Sequence, residues 1–375
     1  MGSLIFLQSM RQDSDLDKAR KAINEIDIQM AELFERRMLQ SREVAQYKKR
    51  NGLGIMDDKR ERAKMENAED LVKDPELREF YVLFQKHLMD LSKDYQRRLF
   101  KEMKIAYCGV PGAFAHIAAQ KAFPEAETIP FPDFTQAYTA CVNGDVDVAI
   151  LPIENSFAGD VGTVLDLAYH GDLYINSILD MGITQNLLGV KGADLGDIDT
   201  VISHPQAIRQ SAEFLSRNSI AFKETGSTAH AAKVVSEMGD RSIGAIASEE
   251  TASIYGLDVM ARQINTSPHN QTRFAVFSRS MSSPVASGHD TRFTIVFAVR
   301  NEAGALAKAL NIIGSHGYNM CYIHSRPSHG TNWNHYFFAE LEGDVNGENG
   351  KEFLRQMKTV CDNLRLVGSY RHQEI

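Results

Sequence analysis

The stretch KIAYCGVPGAFAHIAAQKAF, residues 104–123, decides the fold of the middle of the chain. A short apolar run ends at Gly109, and an alanine-rich segment follows, so a strand leads directly into a helix. The same order recurs as far as residue 248. Strands are predicted at 104–110, 146–155, 200–204 and 243–248, and helices at 113–123, 134–143, 207–218 and 229–238. This alternation predicts an α/β fold with mostly parallel sheets.

Polar clusters follow the predicted strands, at the points where each strand ends and a helix begins. They are GVPGAFAH, PIENS, SHPQAIRQ and GSTAHAA, in chain order. In open α/β folds, ligands bind at the carboxyl ends of the strands. These clusters are therefore expected to face one ligand cleft.

On the amino-terminal side, residues 15–100 have a helical texture with a single proline, Pro75. A long helix is predicted from Asp15 to about Arg50, stopped by NGLG at 51–54, with a second helix after it and a third from Pro75 to about Phe100. A helix of about 35 residues in so small a domain cannot bury its apolar stripe alone, so we expect it to pair with a second chain.

On the carboxyl-terminal side, SMSSPVASGHD at 280–290 reads as a linker. The pattern after it is strand, helix, strand, strand, helix and strand, with the last strand at 364–370. This is the α+β ferredoxin-like order. The sequence thus predicts a multidomain chain. Its domains are an all-α domain at 10–101, an α/β domain at 104–280 and a ferredoxin-like domain at 290–375.

Composition excludes several classes of protein. The chain has 375 residues, 43% of them hydrophobic, and a net charge of −8, which argues against a nucleic-acid partner. No run suits a signal peptide or a membrane span, and the four cysteines form no CxxC pair, so a cytoplasmic location is expected. The same location argues against Asn270-Gln271-Thr272 as a glycosylation site. No cofactor is indicated, and the spacings among His316, His324, His329 and His335 fit no standard metal site.

The helical zone carries a set of cations. This zone resembles the all-helical chorismate mutases, and the resemblance lies in the run ARKAINEID…LFERRMLQSREVAQYKK…MDDKRERAKMEN. The resemblance implies carboxylate binding by Arg20, Arg37 and Arg60, with the first of these supplied by the partner subunit. It also implies that Lys48 and Gln96 hydrogen-bond the ether oxygen, and that Asp57, Glu61 and Ser92 position the substrate. Helix capping is an alternative role for Asp57 and Glu61, and a solvated face is the alternative for the cations.

The middle zone, from about 104 to 279, resembles prephenate dehydratase, whose motifs occur here in the family's order and end with NQTRF at 270–274. The family fold has two α/β lobes, like the type 2 periplasmic binding proteins. The resemblance implies that Thr272 is the catalytic hydrogen-bond donor to the departing hydroxyl and that Arg273 anchors a carboxylate. Asn155, Ser203 and Gln210 would line the cleft, with Glu154 and Ser227 as lesser candidates. His116 and His204 are expected to be structural, and Ala115 replaces the family's usual hydroxyl residue.

The last zone resembles the regulatory ACT domain of these dehydratases. The resemblance implies that phenylalanine binds between paired domains of a homodimer or homotetramer and inhibits the dehydratase. The matching effector positions are Gly304, Ala305, Leu306, Ser325, Arg326 and Pro327, and His324 replaces the usual glutamate.

Together these patterns predict a bifunctional enzyme that rearranges chorismate to prephenate and converts prephenate to phenylpyruvate. One alternative keeps the dehydratase but makes the helical zone a dimerisation device only. Another alternative is a non-catalytic small-molecule receptor with a cleft of the periplasmic type.

Overall fold

The computed structural model divides the chain into two compact units. The first unit comprises Met1–Tyr47 and Ile55–Phe100, and the second comprises Lys48–Gly54 and Lys101–Ile375. The structure describes residues 2–55, 58–100, 103–267, 269–281, 291–327 and 335–375. Within these ranges no helix is both long enough and apolar enough to cross a membrane.

The helical unit is built on one long helix, which begins earlier than Asp15, the predicted start. Pro75 opens a short 3₁₀ turn, Pro75–Leu77, in which the Asp74 side chain caps the first turn, and the third helix continues from it. Gly52 has φ = 60°, so the left-handed residue expected in NGLG follows the end of the long helix. The α-helices are α1 Gly2–Arg50, α2 Asp58–Glu66 and α3 Arg78–Phe100.

Large apolar side chains remain exposed on this unit. Leu33 on α1 is 60% exposed, and Phe80 on α3 is 69% exposed. Other members of the predicted stripe on α1 are also exposed, namely Leu16, Ile23, Ile26 and Met30. A single chain therefore leaves much of the stripe in water, which is unfavourable for large apolar side chains.

The second unit begins with one α/β lobe. The elements are β1 Lys104–Cys108, α4 Phe114–Ala122, β2 Glu127–Phe131, α5 Phe134–Asn143, β3 Val148–Asn155, β4 Gly159–Asp160, α6 Gly162–His170 and β5 Tyr174–Gly182. Strand β1 lies between β2 and β3 and is parallel to both. The carboxyl ends of these three strands therefore lie at one edge of the sheet.

A second lobe follows. Its elements are β6 Asn186–Gly189, β7 Thr200–Ser203, α7 Pro205–Gln210, α8 Ala212–Arg217, β8 Ala221–Glu224, α9 Thr228–Met238, β9 Ile243–Ala247, α10 Glu249–Tyr255 and β10 Asp258–Ala261. Strand order is β10-β6-β9-β7-β8, and β7, β8 and β9 run parallel. Their carboxyl ends lead into α7, α9 and α10. The helix predicted at 207–218 is broken at Ser211 into α7 and α8.

The chain then returns to the first lobe as β11 Gln271–Ser278, inserted between β3 and β5 and antiparallel to both. Two crossover segments thus join the lobes. They hydrogen-bond to each other, because the Ile183 amide donates to the Asn270 carbonyl at 2.8 Å and the Ile264 amide donates to the Gln185 carbonyl at 2.9 Å. This is the two-lobed arrangement that the resemblance to prephenate dehydratase implies.

The remaining elements show the predicted order of strand, helix, strand, strand, helix, strand. They are β12 Thr291–Ala298, α11 Ala305–Ser315, β13 Asn319–Pro327, β14 His335–Glu342, α12 Glu348–Val360 and β15 Asn363–Glu374. Strand order is β13-β14-β12-β15. Phe293, Phe353 and Met357 are fully buried in a core that includes residues of the strands and of both helices.

The last strand is longer than the predicted segment 364–370. Its first part pairs with β12, whereas residues 372–374 pair in parallel with β5 of the first lobe. The opposite face of this sheet also contributes Val296, Phe338 and Tyr370 to the core of that lobe. The regions predicted as domains at 104–280 and 290–375 therefore share one sheet, and the second region also contributes side chains to the core of the first lobe.

Candidate active sites

Arg37 of α1 meets α3 inside the helical unit. Its Nη1 atom contacts the Ser92 hydroxyl and donates to the Leu88 carbonyl oxygen at 3.2 Å. Ser92 itself donates to the same carbonyl at 2.8 Å. Burial lowers the pKa of Arg37 from its ordinary value. The structure thus brings together two of the residues predicted to bind chorismate.

Gln96 lies one turn after Ser92 on α3, and both side chains are buried. Its Nε2 atom donates to the Ser41 hydroxyl at 3.1 Å, whereas its Oε1 atom has no hydrogen-bond partner in the described structure. Glu61 of α2 accepts from Lys93 of α3 at 3.1 Å. Facing side chains of all three helices therefore contribute to this cluster, in which an amide group retains unused hydrogen-bonding capacity.

Lys64 is a cation that the sequence reasoning missed. Burial lowers its pKa, and the positive charges of Arg37 and Arg60 lower it further, so the three cations lie within electrostatic range of each other. Lys64 follows Arg60 by four residues, so the two share a helix face, and this spacing is the signal that could have identified it. Three mutually repelling cations would be stabilised by a bound dianion.

Other predicted mutase residues lie away from this cluster. The Arg20 side chain is 68% exposed, and it forms a 4.0 Å ion pair with Asp17. It precedes Arg37 by 17 residues, or about 25 Å of helix at 1.5 Å per residue. Lys48 is half-buried near the end of α1. Asp57 lies outside the described residues.

The second candidate site is centred on Thr272 and Asn155, which are directly paired across β11 and β3. Asn155 Nδ2 donates to the Thr272 hydroxyl oxygen at 2.9 Å. Each residue is 9% exposed, so the contact is nearly shielded from solvent. Because the hydroxyl oxygen accepts this hydrogen bond, the Thr272 proton can still be donated to another group.

Asn155 is held in place from several directions. Its Oδ1 atom accepts from the Phe157 and Ala158 amides and from Gln206 Nε2 at 2.8 Å. Its Nδ2 atom also donates to Asn270 Oδ1 at 2.9 Å. Gln206 and Asn270 were absent from the predicted set, although both occur within the SHPQAIRQ and HNQTRF stretches. Since Gln206 belongs to α7, Asn155 links the two lobes beside Thr272.

The carboxyl-terminal edges of the two sheets face each other. The Thr251 hydroxyl of α10 donates to the Gly112 carbonyl at 2.8 Å, and the Tyr255 hydroxyl donates to the Pro111 carbonyl at 2.8 Å. A cavity of about 490 Å³ lies between the lobes and includes Met181 in its lining. Met181 is opposite Thr272 in the pairing of β5 with β11. This cavity therefore begins one strand away from the hydroxyl.

Three further predicted residues make other contacts. Ser203 is fully buried and donates to the Ile246 carbonyl at 2.7 Å. Ser227 caps α9 by accepting from the His230 amide at 3.1 Å. Gln210 accepts from Gln185 at 3.3 Å beside the crossover segments, and its Nε2 atom has no partner within the described ranges. Of these three residues, Gln210 retains an unused polar atom.

The structure places Arg273 differently from the predicted carboxylate anchor. Neighbouring strand residues point to opposite faces, so Arg273 faces away from Thr272. Its guanidinium pairs with Glu154 at 3.4 Å, with Asp180 at 3.3 Å and with Glu340. Three carboxylates already surround this cation, so the structure does not present Arg273, or its partner Glu154, to a substrate at Thr272.

Two histidines near the motifs have structural contacts. His116 Nδ1 accepts from the Gly112 amide at 3.0 Å, and His204 Nδ1 accepts from the Gln206 amide at 3.2 Å. Burial lowers the pKa of both, which favours the neutral ring that accepts these bonds. Ala115 is buried at the second residue of α4, and the preceding N-cap residue forms no side-chain hydrogen bond.

The predicted effector motifs lie at one end of the carboxyl-terminal sheet. Tyr336 of β14 lies opposite Ala298 of β12 on one side and opposite Arg326 of β13 on the other. The loop after Ala298 leads to Gly304, which has φ = 81° and precedes Ala305 and Leu306 at the start of α11. The backbone therefore places the two motifs near each other.

Side chains of the second motif contact the first lobe. Arg326 donates two hydrogen bonds of 2.8 Å to Asp166 of α6. His324 Nδ1 lies 2.5 Å from Asp160 Oδ2. Ser325 and Pro327 flank Arg326 on β13. In this arrangement the Arg326 guanidinium already has a carboxylate partner, so an effector would have to share or displace it.

No group of three or more histidine, cysteine, aspartate or glutamate side chains is arranged to hold a metal ion within the described parts of the chain. His316 instead contacts Asn349 at 2.8 Å, and His329 lies outside those parts. All four cysteines are free thiols.

Comparisons with known proteins match two separate parts of the chain to two enzyme families. A family model of prephenate dehydratase matches residues 105–282, and a model of type II chorismate mutase matches residues 19–97. The bifunctional chorismate mutase/prephenate dehydratase of Enterobacter agglomerans is 30% identical over 384 residues, which cover 98% of each chain.

The chain belongs to the bifunctional chorismate mutase/prephenate dehydratase family. It is therefore an enzyme with two activities, an isomerase and a lyase, in phenylalanine biosynthesis, and the prediction of both activities is confirmed.

Two solved structures resemble the part of this family member that follows the helical unit. The prephenate dehydratase of Arthrobacter aurescens in complex with L-Phe is 26% identical, with a TM-score of 0.67, and covers 72% of this chain and 90% of its own. GqqA, described as a novel type of quorum quenching acylase, is 29% identical with a TM-score of 0.67, and covers 72% of this chain and 98% of its own.

Proposed function

We propose that the Thr272–Asn155 pair performs the dehydratase reaction and that the cations around Arg37 perform the mutase reaction. The hydrogen bond of 2.9 Å from Asn155 Nδ2 to the Thr272 hydroxyl oxygen carries the dehydratase assignment. Because the hydroxyl oxygen is the acceptor in this contact, its proton is left available for donation to a bound substrate.

In the dehydratase reaction the ring carboxylate leaves as CO₂, and its bonding electron pair moves into the ring. The ring C–O bond breaks at the same time, and the departing hydroxide takes its electron pair with it. Thr272 donates a hydrogen bond to that oxygen as negative charge develops on it, which lowers the barrier in a shielded site. Gln210 and Asn270 each have an unpartnered buried nitrogen in the described structure, and these atoms are candidates for polar contacts with substrate.

In the mutase reaction no proton is transferred and no nucleophile is needed. The site must hold chorismate in a folded conformer and stabilise charge on the ether oxygen. Arg37, Arg60 and Lys64 supply the positive potential for the two carboxylates. Gln96, with Lys48, is proposed as a donor to the ether oxygen, and Glu61 and Ser92 position the ligand or its cations. Asp57 stays a prediction from the resemblance.

Arg20 requires a second copy of the chain. It lies about 25 Å along the helix from Arg37, by the rise of 1.5 Å per residue, so one α1 cannot aim both at one ligand. A second α1 packed on the exposed stripe would bring its own Arg20 to the site and cover the apolar residues. We therefore propose a homodimer as the smallest active form, with a homotetramer as the larger alternative.

The carboxyl-terminal region is proposed to be an ACT domain that binds phenylalanine and inhibits the dehydratase. The order of its elements and the closeness of the Gly304–Leu306 and Ser325–Pro327 motifs support this role. We keep 10–101, 104–280 and 290–375 as the functional domains, although the last two share a sheet. The four free cysteines fit the proposed cytoplasmic location.

A coupled assay tests these assignments in the full chain. Chorismate is supplied, prephenate and phenylpyruvate are followed separately, and Thr272→Val is compared with Thr272→Ser. The valine variant deletes the hydroxyl and should lose dehydratase turnover by about 10²-fold or more, whereas serine should retain most of it. Equal turnover in the two variants would exclude Thr272 as the donor. Lys48→Ala should abolish the mutase step alone.

A further inference from the structure

Arg273, the residue after Thr272, forms ion pairs with acidic residues of three other strands, β3, β5 and β14. The Arg273 guanidinium contacts Glu154 at 3.4 Å and Asp180 at 3.3 Å, and it forms a close ion pair with Glu340 of β14. Glu154 directly precedes Asn155, and Asp180 is directly opposite Arg273 across β5 and β11. The cation thus lies on the back of the strands that present Thr272 and Asn155.

Glu340 is the contact that comes from the carboxyl-terminal sheet. The Glu340 side chain is 1% exposed and pairs with both Arg273 and Arg292. Its Oε1 atom lies 3.1 Å from Arg292 Nη1. A buried carboxylate between two guanidinium groups needs both partners, because an uncompensated buried charge is strongly unfavourable. Any displacement of β14 therefore changes the surroundings of Arg273.

The Arg273 guanidinium keeps its positive charge in this ion pair. Burial lowers the pKa of Arg273, but the carboxylates of Glu340 and Asp180 raise it, and the net effect is a rise. The guanidinium therefore stays charged and remains available to its carboxylate partners.

We propose that Arg273 is a positioning residue for the dehydratase reaction and that its ion pair with Glu340 transmits the state of the carboxyl-terminal domain to Thr272. The inference rests on the proposed roles of Thr272 and of phenylalanine. When an effector shifts β14, Arg273 must follow Glu340 or settle on Glu154 and Asp180. Either change alters the ends of β11 and β3, and with them the Thr272–Asn155 hydrogen bond.

The test uses the full chain and two variants of one strand. Glu340→Gln removes the charge that pairs with Arg273. Glu342→Gln is the matched control, because Glu342 lies two residues further along β14 and pairs with Arg292 at 3.6 Å rather than with Arg273. For each variant, prephenate turnover is measured with and without phenylalanine, and phenylalanine binding is measured by calorimetry. Mutase turnover in the same preparation checks the amount of active protein.

We expect Glu340→Gln to bind phenylalanine within about threefold of the wild type but to need at least about tenfold more for half-inhibition, which is the signature of lost coupling. Its kcat for prephenate should change while KM stays within about twofold. Glu342→Gln should match the wild type. The proposal is overturned if the inhibition curve of Glu340→Gln matches the wild type, or if phenylalanine binding is lost together with inhibition.

Arg273→Lys keeps a cation beside Glu340 but loses the planar fork that reaches three carboxylates at once. If Glu340→Gln does not fold, Arg273→Lys still tests whether Arg273 is a positioning residue. The same holds if the wild type is insensitive to phenylalanine, a result that would contradict only the proposed effector role. A fall in kcat of about tenfold with KM nearly unchanged supports positioning. A raised KM with unchanged kcat would instead make Arg273 a substrate anchor, and unchanged kinetics would also overturn the proposal.

Discussion

Replacement of Asn155 by aspartate tests the geometry of the dehydratase site most directly, since it keeps the shape and exchanges one donor for an acceptor. In the wild type, Nδ2 lies 2.9 Å from each of three acceptors, Asn270 Oδ1, the Gln271 carbonyl and the Thr272 hydroxyl, and its two hydrogens are shared among them. A carboxylate oxygen at that position cannot donate. The Thr272 proton would turn towards the new carboxylate and would no longer be available to the departing hydroxyl.

The magnitude follows from these contacts. Loss of one preorganised donor to a developing anion typically costs about 10²–10³ in kcat, so we expect a fall in this range for prephenate turnover. Asn270 can turn its amide, because its Nδ2 atom has no partner in the described structure. The Gln271 carbonyl cannot turn, and its repulsion from the carboxylate should lower the free energy of unfolding by about 1–3 kcal/mol.

The assay follows phenylpyruvate formation from prephenate, with chorismate mutase turnover as the internal standard. Asn176→Asp is the matched control, because Asn176 Nδ2 also has three acceptors, the Asn51 and Ser280 carbonyls and the Ser278 hydroxyl. It should show a similar loss of thermal stability and a kcat within about threefold of the wild type, which corresponds to about 0.6 kcal/mol in barrier height. If Asn155→Asp turns over prephenate as fast as this control, Asn155 does not orient the Thr272 hydroxyl for catalysis.

Three further predictions concern the mutase site and the end of α1. Arg20→Ala and Lys48→Ala chains should each lack mutase activity as homodimers. An equal mixture of the two should recover about a quarter of the active sites, because half of the dimers would contain one chain of each kind and each of these would have one intact site. No recovery would argue against a site shared between chains. Lys64→Gln removes one of three mutually repelling cations, so calorimetry should show a higher melting temperature. Steady-state kinetics should show a higher KM for chorismate. An unchanged KM would exclude Lys64 from the site. Gly52→Ala adds a side chain at φ = 60°, where the new Cβ would lie 2.9 Å from Val148, so thermal denaturation should show a loss of about 1–2 kcal/mol or more.

Local signals predicted some of the regular elements of the α/β zone. The four expected strands correspond to β1, β3, β7 and β9, whereas β5 and β11, which flank or carry Thr272, were not expected. The helix expected at 134–143 has these bounds in the structure, because Asp133 caps its start and Gly144, with φ = 87°, ends it. The break at Ser211 was not visible, since the apolar spacing continues through it. The extension of β15 was also missed, because RHQE is a polar stretch whose pairing with β5 depends on backbone groups and not on an apolar pattern.

The site was predicted in part. The motifs identified both Thr272 and Asn155 as candidate site residues. The two residues are 117 positions apart in the sequence, and only the pairing of β11 with β3 shows that they are in contact. The face towards which Arg273 points could not be read from TRF, since alternation along a strand does not say which face meets the cleft. Gln206 was overlooked because its role depends on the approach of the second lobe.

Strand β15 has a consequence for the integrity of the purified enzyme. Residues 372–374 cover the side of β5 that β11 does not, and β5 would otherwise end the first lobe's sheet with unpaired amide and carbonyl groups. Unpaired sheet edges recruit strands from other molecules and so promote aggregation. Removal of residues 372–374 would therefore expose an unpaired strand edge on the dehydratase region.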